Sequence, residues 1–220
     1  MAELATPAGA LTPALAPEQQ LTLERDGDLA HLIIEGPPAN ELSFAMFDAL
    51  AEIVHRVLPV LDARGLIISG RGRHFSSGSN VARLLERASS NGHTPSWCDV
   101  HSAHFQALAR LPYPVVAAVS GCCLGSGLEL ALACTARVAA DNAVFALPES
   151  QHGLIPGCGG TVNLTGLIGY RRALRLILSG ELLGAAEALE LGLVDAVVRR
   201  QDLQAAARRL VACLPPGSGL

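Results

Sequence analysis

The sequence is poor in aromatic and charged residues and has no block of basic residues. Of its 220 residues, 4% are aromatic and 16% are charged, and 16 lysines and arginines face 20 aspartates and glutamates. A net charge of -4 without a basic block argues against binding by bulk attraction to phosphates. So few aromatic rings also leave little surface for stacked bases. We therefore predict that the protein does not bind nucleic acid.

The sequence also lacks the cysteine spacings that mark metal or redox sites. It has 6 cysteines but no CxxC pair and no Cys/His run with the spacing of a zinc site. Most of them lie among alanine, glycine, leucine and valine, where cysteine behaves as a small hydrophobic residue. These features predict free, mostly buried thiols, no bound metal and a location in the cytoplasm.

Export and membrane signals are lacking as well. Residues 1–18 contain no lysine or arginine, so we interpret them as a mobile leader rather than a signal sequence. Residues 115–134 are apolar and about long enough to cross a bilayer, but they contain several glycines and Glu129. A strand, a glycine turn and a helix fit this stretch better, so no membrane association is predicted.

The hydrophobic pattern predicts one α/β domain. Half of the residues are hydrophobic, and short apolar strands alternate with segments of helical periodicity, which favours largely parallel strand pairing. We expect strands at 21–25, 29–34, 66–68, 114–119, 137–140, 143–145 and 196–198. We expect helices from Ser43, one that ends over 104–111, and others at 128–133, at 171–179, at 185–191 and from Gln204. The polar residues 82–104 are predicted to form a flexible loop.

Residues 121–131 (GCCLGSGLELA) form the first segment whose residues could bind a ligand or take part in catalysis. Glycines between a strand and a helix let the backbone approach a ligand closely, and the unpaired amides at a helix start suit an oxyanion. Glu129 falls in the first helical turn among apolar residues. A buried carboxylate there is costly unless it is paired or functional. The alternative is simple helix–sheet packing with Glu129 at the surface.

Two further segments combine glycines with polar groups. Residues 145–161 (FALPESQHGLIPGCGGT) place Glu149 on a loop just past a strand, before a glycine cluster and an apolar helix. Residues 74–81 (HFSSGSNV) form another strand–glycine–helix junction. Two carboxylates close to developing negative charge can act as general acid and general base.

Together the three segments resemble the crotonase superfamily, the enoyl-CoA hydratase/isomerase family. Its members carry F-x-x-G-x-D, then V-x-G-x-x-x-G-G-G-x-E-L-A, then F-x-x-P-E-x-x-x-G-x-x-P-G-x-G-G-T. All three motifs occur here in order, the first two with one substitution each, within a resemblance that covers about residues 21–198. The resemblance implies a spiral of ββα units with a perpendicular pair of sheets over residues 19–199, followed by a shortened C-terminal helical region over 200–220.

The resemblance also implies a site and a reaction. The backbone amides of Ser79 and Ser126 would hold the thioester oxygen of an acyl-CoA, while Glu129 and Glu149 would activate a water molecule. Further contacts with the substrate or CoA are implied at Ala39, Ser77, Gly78, Gly125 and Gly157. The implied enzyme is a hydro-lyase of fatty acid metabolism that hydrates a 2-enoyl-CoA or dehydrates a 3-hydroxyacyl-CoA. It needs no metal or redox cofactor, and an acyl-carrier protein could replace CoA.

Departures from the family pattern keep alternatives open. Ser126 replaces the middle glycine of the second motif, and Asn80 replaces the acid that ends the first. Family members usually continue past the last strand with helices that build a trimer. An isomerase, a decarboxylase, a thioester hydrolase or a non-catalytic scaffold protein are the alternatives. A mean hydropathy of +0.36 with little charge predicts a homo-oligomer, a trimer or hexamer, with contacts at 171–179 and 185–191.

Overall fold

A computed structural model of the protein describes residues 2–3, 19–91 and 95–215, with side chains described over 19–86 and 101–215. The strands are β1 (Ala2–Glu3), β2 (Gln20–Asp26), β3 (Leu29–Glu35), β4 (Gly65–Gly70), β5 (Val115–Val119), β6 (Cys122–Leu124), β7 (Ala136–Ala140), β8 (Val144–Ala146), β9 (Leu183–Gly184) and β10 (Ala196–Val198). The α-helices are α1 (Phe44–Glu52), α2 (Val81–Asn91), α3 (Pro95–Leu108), α4 (Ser126–Leu132), α5 (Gly160–Ile168), α6 (Tyr170–Ser179), α7 (Ala185–Glu190) and α8 (Leu203–Cys213). Shorter helical turns occupy Ile53–Val57, Leu58–Val60, Pro148–His152 and Arg200–Asp202.

Most strands form one mixed sheet in the order β1-β2-β3-β4-β5-β7-β10. β1, β2 and β3 pair antiparallel, and every pairing from β3 to β10 is parallel. All residues of β5 and β7 are buried, as expected for parallel strands covered on both faces. The predicted α/β class with largely parallel pairing is therefore confirmed.

The two faces of the main sheet bury different partners, because alternate residues of a strand point to opposite sides. Leu66, Ile68 and Ala117 belong to the large cluster that includes α1 and the loops of the site. Ile67 and Val116 face the other side, where they join the buried residues of α8. The helix predicted from Gln204 thus forms and closes the back of the sheet.

A second sheet of three strands, in the order β6-β8-β9, carries the site loops. β6 pairs in parallel with β8, which pairs antiparallel with β9. The sequence analysis interpreted residues 121–127 as a glycine turn only and missed β6. A strand of three residues bounded by glycines is too short to show an alternating pattern.

The flexible loop predicted over residues 82–104 is wrong, because this stretch is largely helical, in α2 and α3. Serine and asparagine lower helix propensity by only a fraction of a kcal/mol each, so polar composition alone does not prevent a helix. Val81, Leu84 and Leu85 share one helical face, and Phe105 and Leu108 of α3 are buried. Apolar spacing at the two ends of the stretch therefore decides its structure.

The chain ends and the cysteines complete the description. Ala2 and Glu3 pair with β2, and the rest of the predicted leader lies outside the described residues. Among the helices in the described ranges, none is long and apolar enough to cross a membrane.

The cysteines with described side chains are all free, and three of them are buried. Burial raises the pKa of the Cys134 thiol to about 12, so this thiol stays protonated and unreactive.

Candidate active site

Three loops meet at one edge of the smaller sheet. Residue Ser76 pairs with Cys123 in an isolated bridge, and its carbonyl accepts the Leu124 N–H at 3.0 Å. The N–H of Gly125 in turn donates to the carbonyl of Ala146 at the end of β8, also at 3.0 Å. These backbone bonds bring the loop before α2, the turn before α4 and the turn after β8 into contact.

A buried asparagine fixes the first of these loops. The side-chain amide of Asn40 donates to the carbonyl of His74 at 2.6 Å, and the Asn40 carbonyl accepts the Ser76 hydroxyl at 2.7 Å. Its neighbour Ala39 accepts the Ser77 N–H at 2.9 Å. Asn40 has a left-handed φ of 57°, a conformation in which asparagine is enriched several-fold among non-glycine residues. The structure thus gives Ala39 a backbone contact with the site loop.

Seven of the nine site residues inferred from the sequence line one cavity of about 120 Å³. They are Ser77, Ser79, Gly125, Ser126, Glu129, Glu149 and Gly157. Ala39 and Gly78 do not line it. A Cβ on Gly78 would lie 2.5 Å from the Leu124 carbonyl oxygen, so this glycine lets the first loop pack against the turn before α4. Its φ of 81° also favours glycine.

The opposite wall of the cavity is apolar. It is formed by Val81, Leu84 and Leu85 of α2 together with Leu154 and Ile155. The segment that the sequence analysis predicted as a loop therefore supplies one wall of the cavity. A cavity with an apolar wall and a few convergent polar groups is typical of a small-molecule site.

Glu129 is buried in α4 and tightly held. The residue is only 2% exposed, so the alternative interpretation that Glu129 lies at the surface is wrong. Oε1 accepts the N–H groups of Cys158 at 2.7 Å and Gly160 at 2.8 Å. Burial raises the pKa of Glu129 to about 7, and the nearby charge of Glu149 adds to this rise, whereas the amide bonds oppose it.

Glu149 reaches the same cavity from the helical turn Pro148–His152 after β8, and it is held less firmly. Its Oε2 atom is buried and has no hydrogen-bond partner among the described residues. Burial raises the pKa of this carboxyl as well. A Cβ on Gly125 would lie 3.1 Å from Oε1 of Glu149. Gly125 also has a φ of 51° with a ψ of -127°, so both space and conformation favour glycine there.

The two residues with predicted oxyanion amides face each other. Ser126 is the first residue of α4, where a backbone N–H has no partner within the helix. The hydroxyls of Ser79 and Ser126 are 2.7 Å apart and hydrogen-bonded. Both residues border the cavity beside the two carboxylates.

Asn80, where the family pattern has an acid, begins α2. Its Oδ1 atom accepts the N–H of Arg83 at 3.2 Å, which is the bond of a helix N-cap. Its amide nitrogen donates to Oε2 of Glu41 at 3.3 Å. Asparagine and aspartate are about equally good N-caps, so the substitution preserves the start of the helix that walls the cavity.

Sequence reasoning missed the groups that hold Glu129. The amides of Cys158 and Gly160 belong to the glycine cluster of the third motif, which was singled out only as a motif. A Cβ on Gly160 would lie 2.9 Å from Cγ of Glu129, so the second glycine of the pair lets the backbone approach the carboxylate. A glycine pair before a helix is the signal that could have indicated this contact.

Comparison with known proteins agrees with this architecture. Among solved structures, a candidate enoyl-CoA hydratase from Thermobifida fusca in complex with acetoacetyl-CoA matches with a TM-score of 0.78 and 31% identity, over 89% of this chain and 81% of that one. The fold defined by the two sheets and the site loops is therefore the crotonase fold.

The sequence relatives identify the family. The "probable enoyl-CoA hydratase" of Bacillus subtilis is 37% identical over 175 residues, and this chain spans 67% of its length. A fatty acid oxidation complex subunit alpha of Vibrio campbellii is 42% identical over 176 residues, or 78% of this chain but 25% of that protein. The family model for enoyl-CoA hydratase/isomerase matches residues 24–217. The chain belongs to the enoyl-CoA hydratase/isomerase family.

Proposed function

We propose that the protein hydrates the double bond of a 2-enoyl-CoA, or runs the reverse dehydration of a 3-hydroxyacyl-CoA. The proposal depends on one observation: Glu129 and Glu149 line the same small cavity as Ser79 and Ser126. Two acids beside two potential donors for a thioester oxygen are the groups that this addition requires. The names of the relatives favour the same reaction.

In the proposed reaction the thioester oxygen accepts hydrogen bonds from the backbone amides of Ser79 and Ser126. Glu129 and Glu149 hold a water molecule. One of the two carboxylates takes a proton from this water as the water oxygen bonds to Cβ of the substrate. The electron pair of the double bond moves toward the thioester, and the resulting enolate oxygen is stabilised by the two amides. The carboxyl group then passes this proton to the carbanionic Cα, which completes the addition of one water molecule and returns the carboxylate to its starting state.

The raised pKa values of both acids suit this division of work. Burial raises both, and that of Glu129 reaches about 7, so proton exchange near neutral pH is inexpensive. Every role in the proposal falls to groups of the chain and of the acyl-CoA, so it calls for no metal or redox cofactor. An acyl-carrier protein could present the same thioester in place of CoA.

Product analysis tests this function against its alternatives. Purified protein is incubated with crotonyl-CoA, and the products are separated by chromatography and identified by mass. We expect 3-hydroxybutyryl-CoA, whose mass exceeds that of the substrate by one water. A deconjugated isomer of unchanged mass, or release of free CoA, would assign isomerase or hydrolase chemistry instead. Unchanged crotonyl-CoA, with no turnover of longer 2-enoyl-CoA substrates, would favour the scaffold protein.

We also propose that the protein is a homo-oligomer, with a trimer or hexamer expected. Tyr170, Leu178 and Leu182 on and beside α6 are 67%, 64% and 68% exposed, and Val162 of the neighbouring α5 is exposed too. Large apolar side chains left exposed on neighbouring elements are typical of a subunit contact. Light scattering at micromolar concentration tests this: a mass near three or six chains is expected, and a monodisperse monomer contradicts it.

A further inference from the structure

The hydroxyl pair of Ser79 and Ser126 lies where the family pattern has a glycine, which carries no side chain. Ser126 occupies the middle-glycine position of the second motif, is 7% exposed and lines the cavity. Its Oγ lies 2.7 Å from Oγ of Ser79, which belongs to the loop before α2. The substitution at position 126 thus adds one hydroxyl, which pairs with the hydroxyl of Ser79.

The hydrogen-bond capacity of the pair is only partly used. Each hydroxyl carries one proton and can accept as well as donate. One of the two protons is used in the bond between the hydroxyls, whichever serine donates it. In the described part of the chain, neither hydroxyl makes any other hydrogen bond. One proton of the pair is therefore available to an acceptor that enters the cavity.

We propose that the Ser79–Ser126 hydroxyl pair donates a third hydrogen bond to the thioester oxygen of the bound acyl-CoA. This inference rests on the proposed function, because it deepens the role of the same site. The hydroxyls belong to the two residues whose amides would bind that oxygen, and both residues line the cavity. An enolate oxygen carries more negative charge than a carbonyl and gains more from an added donor.

A purely structural role of the pair makes a different prediction. If the hydroxyl bond only tied the first loop to α4, its loss would lower thermal stability and leave a bound thioester carbonyl unchanged. If the pair donates to the thioester, its loss changes the polarisation of that carbonyl directly. A spectroscopic readout of the carbonyl therefore separates the two roles.

The test uses the double variant Ser79→Ala/Ser126→Ala, which removes both hydroxyls and keeps both Cβ atoms, because either hydroxyl left alone could still donate its own proton. The control is Ser120→Ala, which removes a hydroxyl from an equally buried serine that donates to the carbonyl of Arg73 at 3.2 Å, outside the cavity lining. The probe is 4-(dimethylamino)cinnamoyl-CoA, whose absorption moves to longer wavelength when its carbonyl is polarised. Hydration of crotonyl-CoA is measured on the same proteins.

We expect the probe to shift to longer wavelength on the wild-type protein and to shift less on the double variant, with Ser120→Ala like wild type. We expect kcat for crotonyl-CoA to fall on the order of 100-fold in the double variant with little change in KM, since the bond strengthens in the transition state. An unchanged probe shift in the double variant overturns the inference alone. A wild-type protein that neither binds the probe nor hydrates crotonyl-CoA overturns the proposed function and this inference with it.

Discussion

The two carboxylates of the cavity differ in burial and in the way the protein holds them, because Glu129 is buried and Glu149 is half-buried. Glu129 projects from α4 and accepts two backbone amides on a single oxygen. Glu149 projects from a short helical turn, and its Oε2 has no hydrogen-bond partner in the described residues. Burial is the largest cause of the raised pKa in both. The two carboxylates therefore differ in hydrogen bonding as well as in burial.

This difference suits the two carboxylates to different tasks: one holds a fixed position, and the other can accept a further hydrogen bond. A carboxylate held by two amides keeps its geometry whether or not substrate is bound, which favours a fixed partner for a water molecule. A buried carboxylate oxygen without a partner is costly in itself and gains most from an incoming hydrogen-bond donor. We infer that Glu129 sets the geometry of the site and that Glu149 offers the freer acceptor.

The largest effect is expected from removing either charge. Glu129→Gln and Glu149→Gln keep the side-chain shape and remove the acid–base group, and positioned acids and bases contribute about 100-fold to 10,000-fold. We expect kcat/KM for crotonyl-CoA hydration to fall by an amount in this range in each variant. Glutamine at position 129 still offers an oxygen to the amides of Cys158 and Gly160. Initial rates measure the loss, and either variant within tenfold of wild type would contradict the paired roles.

The next effect concerns stability and pH. Because the pKa of Glu129 rises from 4.5 to about 7 on folding, its contribution favours the folded state below pH 4.5 and is lost as pH rises through 7. A rise of this size corresponds to about 3 kcal/mol. We expect Glu129→Gln to remove this contribution, so that its stability gain over wild type is larger at pH 8 than at pH 5.

Urea denaturation at both pH values measures that prediction. Glu149→Gln is the matched comparison, because burial raises the pKa of the Glu149 carboxyl in the same direction. A Glu129→Gln variant with the same pH dependence as wild type would show that the carboxylate is not desolvated as described.

A smaller effect is expected where the turn before α4 meets Glu149. Gly125→Ala forces a side chain into a strained backbone conformation, which costs about 1–3 kcal/mol, and places Cβ 3.1 Å from Oε1 of Glu149. We expect lower thermal stability and a reduced rate of hydration. Gly166→Ala is the control, because Gly166 lies inside α5 with open space around its Cα. That variant is expected to gain about 0.5–1 kcal/mol.

The smallest effect concerns the start of α2. Asn80→Ala removes the acceptor for the Arg83 N–H and should cost about 1 kcal/mol, whereas Asn80→Asp should keep the cap. Chemical denaturation of the two variants measures this difference. If Asn80→Ala and Asn80→Asp are equally stable, the cap does not explain why asparagine replaces the acid of the family motif.

The sequence allowed most of the site to be predicted, because its key groups lie in contiguous motifs. The resemblance of three motifs to the enoyl-CoA hydratase/isomerase family implied that Glu129, Glu149, Ser79 and Ser126 share one site, and the structure brings all four to one cavity. The main sheet was predictable because its buried strands are short, mostly apolar runs, some of them bounded by glycine or proline. Local patterns were sufficient wherever the determining residues are neighbours in sequence.

The features that were missed depend on contacts that are distant in sequence. Glu129 receives its hydrogen bonds from residues that follow it by 29 and 31 positions, and no local pattern encodes that pairing. β6 forms because Cys123 pairs with Phe145 of β8, not because three residues favour a strand. α2 is helical despite its polar composition, and its residues Leu84 and Leu85 line the cavity formed with the distant loops. Tertiary packing overrides weak local preferences in each case.

The most direct test of the central claim is a double-mutant cycle on crotonyl-CoA hydration with Glu129→Gln, Glu149→Gln and the combined variant. If both carboxylates act on one water molecule, the losses are strongly non-additive, as for residues that act as a unit. We predict that the combined variant is hardly slower than the slower single variant. Losses that multiply, or a combined variant with wild-type activity, would contradict the claim that the two acids form one catalytic pair.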